Sequence, residues 1–161
     1  MFSFGRFDKV DHLAIAVYDL DKAVDYYTGV LGYSFKERRQ TNGEYSGMKS
    51  AVLEGQDFSI VLLASDGRNS QITKFLSNFG PGVQHVAFSV DDIEVVYDEL
   101  LDKGIEFSTH IIKGPGLRQV FTKRDENSGM MYEFIERCGN KYFDEDNITS
   151  LFSQLEQAGQ Y

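Results

Sequence analysis

His12, His85 and Glu133 are the residues whose types and settings could do chemistry. His12 stands in "VDHLAI" (10–15) and His85 in "VQHVAF" (83–88), each a polar ring inside an apolar, alternating stretch. Read as a strand, the second stretch places Val83, His85 and Ala87 on one face, with Gln84, Val86 and Phe88 on the other. A lone histidine in such a place is ordinarily a satisfied core or surface residue. Two at equivalent places of a repeat point instead to a shared metal, because imidazole is a common ligand and two protonated rings would repel. Glu133, in "MMYEFIER" (130–137), shares a face with Met131 and Ile135 on an otherwise apolar strand, and a buried carboxylate requires a partner. Glu136, on the opposite face beside Arg137, reads as a solvated alternative.

The repeat that makes the histidines equivalent runs through the chain. "DHLAIAVYDLDKAVDYYTGVLGYSF" (11–35) lies over "QHVAFSVDDIEVVYDELLDKGIEF" (84–107), with His12 on His85, Ala14 on Ala87 and Asp19 on Asp92. Each copy is a strand, an acidic turn and an amphipathic helix; Leu20, Ala23, Val24 and Tyr27, then Ile93, Val96, Tyr97 and Leu100, fall at helical spacing. Gly32 and Gly104 stand where a left-handed helix terminus is wanted. Three apolar-alternating stretches follow each helix: "YSFKERRQ", "GMKSAVLE" and "FSIVLLAS", then "IEFSTHII", "LRQVFTKR" and "MMYEFIER", with turn chemistry at "EGQD" (54–57) and "DENSG" (125–129). The fold class is therefore α+β, a single domain (1–161) of two βαβββ modules. Module one spans 8–66 and module two 82–138. A connecting helix spans 70–80 with Ser70 as its cap, and a C-terminal amphipathic helix spans 146–158 with Asn147 as its cap.

Aligning "SIVLL" (59–63) with "MMYEF" (130–134) puts Leu62 where Glu133 stands. A symmetric site would have a second carboxylate there. Two histidines and one carboxylate leave roughly three of six octahedral positions open, the arrangement of non-haem Fe(II) oxygenases. Four protein ligands would leave about two, which suits polarisation of a carbonyl and enediolate chemistry. His110 pairs with nothing in the repeat and reads as a surface residue. "GPGLR" (114–118) lacks a phosphate-loop signature and reads as a turn. "KERR" (36–39) reads as a solvated basic strand end.

A formal net charge of −9 over 161 residues argues against nucleic acid and anionic membranes as partners. No apolar run reaches the length of a membrane span, and the first residues show no secretory signal. The single cysteine, Cys138, cannot form an internal disulfide, and a reducing, cytoplasmic setting is the expectation.

With these residues in hand, the chain resembles the vicinal oxygen chelate superfamily. "DHLAIAVYDLDKAVDYYTGVLGY" is similar to the opening of many members, glyoxalase I and methylmalonyl-CoA epimerase among them. "GPGVQHVAFSVDDI", "MYEFIER" and "YFDEDNITSLFSQLE" resemble the catalytic half of the 4-hydroxyphenylpyruvate dioxygenase and hydroxymandelate synthase branch. The resemblance covers nearly this whole chain but about half of those enzymes, and it implies that the two modules form a cupped, partly open barrel. It implies Fe(II) held by His12, His85 and Glu133, a 2-oxo acid as substrate, dioxygen as co-substrate, and a homodimer. It implies active-site glutamines at Gln71, Gln84 and Gln119, and a phenylalanine over the site at Phe143. Where the branch has small polar residues near the substrate's aromatic end, this chain offers Val52, Leu62 and Leu63. An apolar wall does not select for a hydroxyl there, which leaves aryl and branched aliphatic 2-oxo acids open. Two alternatives stay open: a metal-dependent isomerase or epimerase using Co(II), Zn or Ni, and a non-catalytic binding protein of the drug-resistance kind.

Overall fold

A computed structural model describes residue 7 and residues 9–138 and 145–159. The first module comprises β1 (Val10–Ala16), α1 (Leu20–Asp25), β2 (Ser34–Asn42), β3 (Gly47–Glu54) and β4 (Ser59–Ser65). The second comprises β5 (Gly82–Ser89), α3 (Ile93–Asp102), β6 (Ile112–Gly114), β7 (Leu117–Phe121) and β8 (Tyr132–Arg137), with α2 (Gln71–Phe79) between the modules and α4 (Glu145–Ala158) after them. The eight strands form one curled sheet in the order β2-β3-β4-β1-β5-β8-β7-β6. Both modules lie in one chain and join through the antiparallel pair β1–β5.

Local chemistry explains the helix starts. Asp19 and Asp92 stand at the same place in each copy and accept hydrogen bonds from first-turn amides, Lys22 N in α1 and Glu94 N and Val95 N in α3. Ser70 does the same for α2 through Thr73 N. Gly32 and Gly104 take the positive φ that ends each module's helix (79° and 87°). The first helix differs from its copy: after α1 the chain continues as a π-helical turn, Tyr26–Val30.

α1 covers one face of the first half-sheet through Leu20 and Val24 against Leu53, Ile60 and Leu62. α3 covers the matching face of the second through Ile93, Val96 and Leu100 against Val120 and Phe134. The opposite, concave face receives α2 and α4, whose Ile72, Phe75 and Phe152 pack with Val52, Val61 and Leu63. α4 contacts both edge strands, β2 and β6, and so bridges the open side of the curl.

Four expectations change. Asn147 lies inside α4 and donates from Nδ2 to Leu117 O, so it ties the helix to β7 instead of capping it. The expected strand over 105–112 forms only an isolated bridge, Phe107 to Thr122, over 105–111, and the short β6 starts at Ile112. Glu136 is buried, not solvated: both carboxylate oxygens take Arg118 Nη2 (2.6 and 2.7 Å), and Oε2 also accepts from Ile93 N at the start of α3 (2.8 Å). Leu62 points beneath α1, away from the concave face.

Candidate metal centre

The histidines face one another because of strand register. In the β1–β5 pair Leu13 lies opposite Val86, with His12 opposite Ala87 and Ala14 opposite His85, which is a two-fold arrangement about the Leu13–Val86 pair. Each imidazole thus has an alanine across from it and room to turn inward. Ala87 is in turn opposite Glu133 on β8. His12, Ala87 and Glu133 form one row across three strands, and the small central residue lets the outer two meet above it.

They do meet. His12 Nε2 lies 3.0 Å and His85 Nε2 3.2 Å from the same oxygen, Glu133 Oε2. The imidazoles stand edge to face, 5.6 Å between centroids. One ligand atom from each residue falls within 4.8 Å of the others, and all three residues are buried. Glu133 Oε1 is buried with no hydrogen-bond partner. An orphaned carboxylate oxygen beside two inward-facing ring nitrogens is the donor set a divalent transition metal takes, so the residues fit the implied ion.

A β-bulge precedes each histidine. The pairing steps past Asp11 on β1 and past Gln84 on β5, and each bulged residue turns its side chain onto the following ring. Asp11 Oδ1 accepts from His12 Nδ1 at 2.8 Å, and Gln84 Oε1 contacts His85 Nδ1. Both partners orient the rings so that each Nε2 faces Glu133 and the position a metal would take. Asp11 is itself held by Arg137, Nε to Oδ2 at 2.7 Å and Nη2 to Oδ1 at 3.0 Å.

Residues 9–134 match the glyoxalase/bleomycin resistance protein/dioxygenase superfamily. The chain belongs to that superfamily. Among curated relatives of this vicinal oxygen chelate group, 4-hydroxyphenylpyruvate dioxygenase of Legionella pneumophila (strain Corby) is 27% identical, over 92% of this chain and 53% of its own length. Among solved structures, a triple mutant of 4-hydroxymandelate synthase from Streptomyces coelicolor superposes with a TM-score of 0.83 at 26% identity, over 94% of this chain and 55% of that one. Methylmalonyl-CoA epimerase from Mycobacterium tuberculosis gives 0.70 at 29% identity, over 85% and 93%. The chain spans about half the length of the dioxygenases it matches.

Within this superfamily fold, the site's fourth corner can be located. Ala14, the counterpart of Ala87, pairs with Val61 as Ala87 pairs with Glu133. Val61, not Leu62, is therefore the partner of Glu133 by symmetry, and it lines the cavity above the site. The alignment of "SIVLL" with "MMYEF" is one residue out, and in a strand one residue reverses the face. Val52 and Leu63 do line the cavity, as do Gln71, Gln84 and Gln119. Gln84 does so through its bulge, which turns it inward beside His85 and leaves Val83 exposed, against strict alternation. Phe143 lies outside the described residues. His110 is exposed, and Gly114–Leu117 makes the β6–β7 turn. Asp11 and Arg137 escaped the sequence reading, although the "DH" and "QH" pairs at matching places of the repeat carried the signal.

The site's electrostatics follow from burial and proximity. Burial opposes charge on His12, but the Glu133 charge and hydrogen bonds to Asp11 and Glu133 outweigh it and lift the ring to about 9. Burial drives His85 below its ordinary value, only partly offset by Glu133. Burial would raise Glu133, yet the His12 charge and both imidazole hydrogen bonds hold it low. Asp11 is likewise held well below the carboxylate range despite burial, by His12 and Arg137. The raised value favours His12 as an imidazolium in the metal-free site, and an incoming metal must displace its Nε2 proton.

Two predictions follow from these contacts. Co(II) affinity rises about tenfold per pH unit from 7 toward 9 and then levels off, with close to one proton released per ion in calorimetry. The metal-free protein responds oppositely: a pKa raised on folding contributes stability fully present below pH 6.5 and lost as pH rises through about 9, so its melting temperature falls across that window. The second concerns Asp11. Asp11→Asn keeps the acceptor but removes the charge, and chelator competition will show Co(II) affinity lower by roughly 10–100-fold.

Proposed function

We propose that the protein is a non-haem Fe(II)-dependent dioxygenase acting on a 2-oxo acid, in the manner of its 4-hydroxyphenylpyruvate dioxygenase relative. The observation that carries this reading is the asymmetry of an otherwise two-fold site: His12, His85 and Glu133 occupy three corners and Val61 the fourth. Three protein ligands leave room for a bidentate 2-oxo acid and dioxygen together; four do not. Fe(II) bound there would supply oxygen activation, while the 2-oxo acid itself provides the four electrons, two as it loses carbon dioxide and two as its side chain or ring is hydroxylated, with one oxygen atom entering the new carboxylate and the other the hydroxyl.

The chain's own residues bind, orient and keep the site dry. His12 and His85 present Nε2, held in orientation by Asp11 and Gln84. Gln71 Oε1 and both polar atoms of the Gln119 side chain are buried without hydrogen-bond partners on the cavity wall, which suits them to a polar substrate. Val52, Val61 and Leu63 from the sheet, with Phe152 and Leu155 from α4, form an apolar wall that excludes water. A homodimer accompanies this reading, to be checked by light scattering.

The epimerase reading draws support from the superposition on methylmalonyl-CoA epimerase, which spans 93% of that protein. Against it stands the apolar fourth corner, since enediolate chemistry is better served by a second carboxylate. Against a non-catalytic binding module stands a buried carboxylate between two imidazoles, costly to keep for packing alone. Anaerobic reconstitution with Fe(II), followed by exposure to oxygen with aryl and alkyl 2-oxo acids, should give oxygen uptake matched by carbon dioxide release. Metal uptake without oxygen consumption on any of them would refute the dioxygenase assignment.

A further inference from the structure

The cavity has a second polar pole. Glu37, Arg39 and Ser50 line it on the first module's edge, opposite in character to the apolar residues between them and the metal corner. Strand pairing places this pole: Glu37 is opposite Val52, Val52 opposite Val61, Val61 opposite Ala14 and Ala14 opposite His85. One row across five strands thus begins at a metal-corner histidine, crosses two valines and ends at a carboxylate. The neighbouring row runs Ala16, Leu63, Ser50, Arg39. At ~4.8 Å per strand, the path along the curl from Ala14 to Glu37 is roughly 14 Å.

Arg39 Nη2 donates to Glu37 Oε2 at 3.3 Å, while Glu37 Oε1 is buried with no hydrogen-bond partner. A carboxylate oxygen only accepts, so the occupant of this pole must donate. A bare hydrocarbon end would leave the oxygen unpaired. An anionic end would meet the Glu37 charge, and an ammonium would meet Arg39. A hydroxyl or carboxamide satisfies both neighbours, donating to Glu37 Oε1 and accepting from the guanidinium.

We propose that Glu37 and Arg39 form the specificity pole of the substrate cavity, selecting a 2-oxo acid whose side chain ends in a neutral hydrogen-bond donor, hydroxyl or carboxamide. This rests on the 2-oxo-acid reading of the metal corner, and it replaces the undiscriminating apolar wall expected from Val52, Leu62 and Leu63. The selecting groups sit on β2, one strand beyond Val52, in a segment whose basic run reads in sequence as a solvated edge.

Calorimetry on the Co(II)-loaded protein, with the Co(II) spectrum reporting chelation, tests this without turnover. The probes are phenylpyruvate, 4-hydroxyphenylpyruvate and 4-carboxyphenylpyruvate under argon. The hydroxylated acid should bind at least about tenfold tighter than either of the others, as expected where a built polar site discriminates. Glu37→Leu should erase the preference for hydroxyl over hydrogen. Glu37→Gln, nearly isosteric, should retain much of that preference while strengthening the carboxylated acid severalfold, because repulsion is gone and Arg39 stays. The gain for one ligand is a result that loss of folding cannot mimic, so the Gln variant decides the matter if the Leu variant does not fold. Equal binding of all three acids to the unaltered protein would overturn the specificity pole and leave the 2-oxo-acid reading standing. Binding of none would overturn that reading, and this proposal with it.

Discussion

Replacing Glu133 with alanine will cost on the order of 1,000-fold in metal affinity, equivalent to about 4 kcal/mol, and will take oxygen uptake to background. Glu133 is the only anion among the three candidate ligands, and its Oε2 is the atom both imidazoles approach. The same change reverses a property of the metal-free protein. Without the Glu133 charge, the main force lifting His12 to about 9 disappears and burial dominates, so the fall in melting temperature between pH 6.5 and 9 is lost. Glu133→Gln, which preserves shape, should show the same two effects and so separate charge from packing. Glu136 on the same strand provides the contrast. Glu136→Gln weakens a part-buried pair with Arg118 and should lower the melting temperature while leaving metal affinity within about twofold. Chelator-competition titrations and thermal melts at three pH values distinguish the two glutamates.

A glutamate introduced at position 61 or at position 62 should give opposite outcomes. Val61→Glu completes the two-fold set, placing a carboxylate where the pairing Ala14–Val61 mirrors Ala87–Glu133. The variant should fold, bind Co(II) at least as tightly as the parent and show an altered Co(II) spectrum. Oxygen uptake should drop by roughly a hundredfold or more, since a fourth protein ligand occupies a position that the reaction needs. Leu62→Glu instead buries an unpaired carboxylate beneath α1, among Leu20, Val24 and Leu53. That costs several kcal/mol and should leave little folded protein. If Leu62→Glu folds and changes the metal spectrum while Val61→Glu does not, the register assigned to β1–β4 is wrong. The pair of variants turns a one-residue question of strand face into a difference between a new coordination sphere and an unfolded chain.

Much of this site is written in the amino-acid sequence. The His12 and His85 match within the repeat, and the carboxylate alone on an apolar strand at Glu133, identified the three residues that now converge. Periodicity, the acidic turn before each module's helix and the Ser70 cap located the first three helices, because Asp19, Ser70 and Asp92 act on amides only two or three residues away. Those are local interactions, and local interactions are written in adjacent letters. What alternation alone missed was non-local or broke the period, and Gln84 reached the site in the sequence only through the family resemblance. Gln84 turns inward because a bulge inserts one residue into β5, and Val61 displaces Leu62 by a single step of register. Glu136 reads as solvated until Arg118 and the start of α3 are brought beside it.

The amino-acid sequence by itself determined that two copies of one unit exist, that each begins with a histidine-bearing strand, and that only the second ends with an acid at the matching depth. Tertiary structure decided which side chains meet: Asp11 with Arg137 across the first and last strands, and Glu37 and Arg39, one strand beyond the valine wall, with the cavity that His12, His85 and Glu133 also line. The physical reason is that strand pairing and curvature bring together residues far apart along the chain. A single slipped residue in that pairing exchanges the buried face for the opposite one.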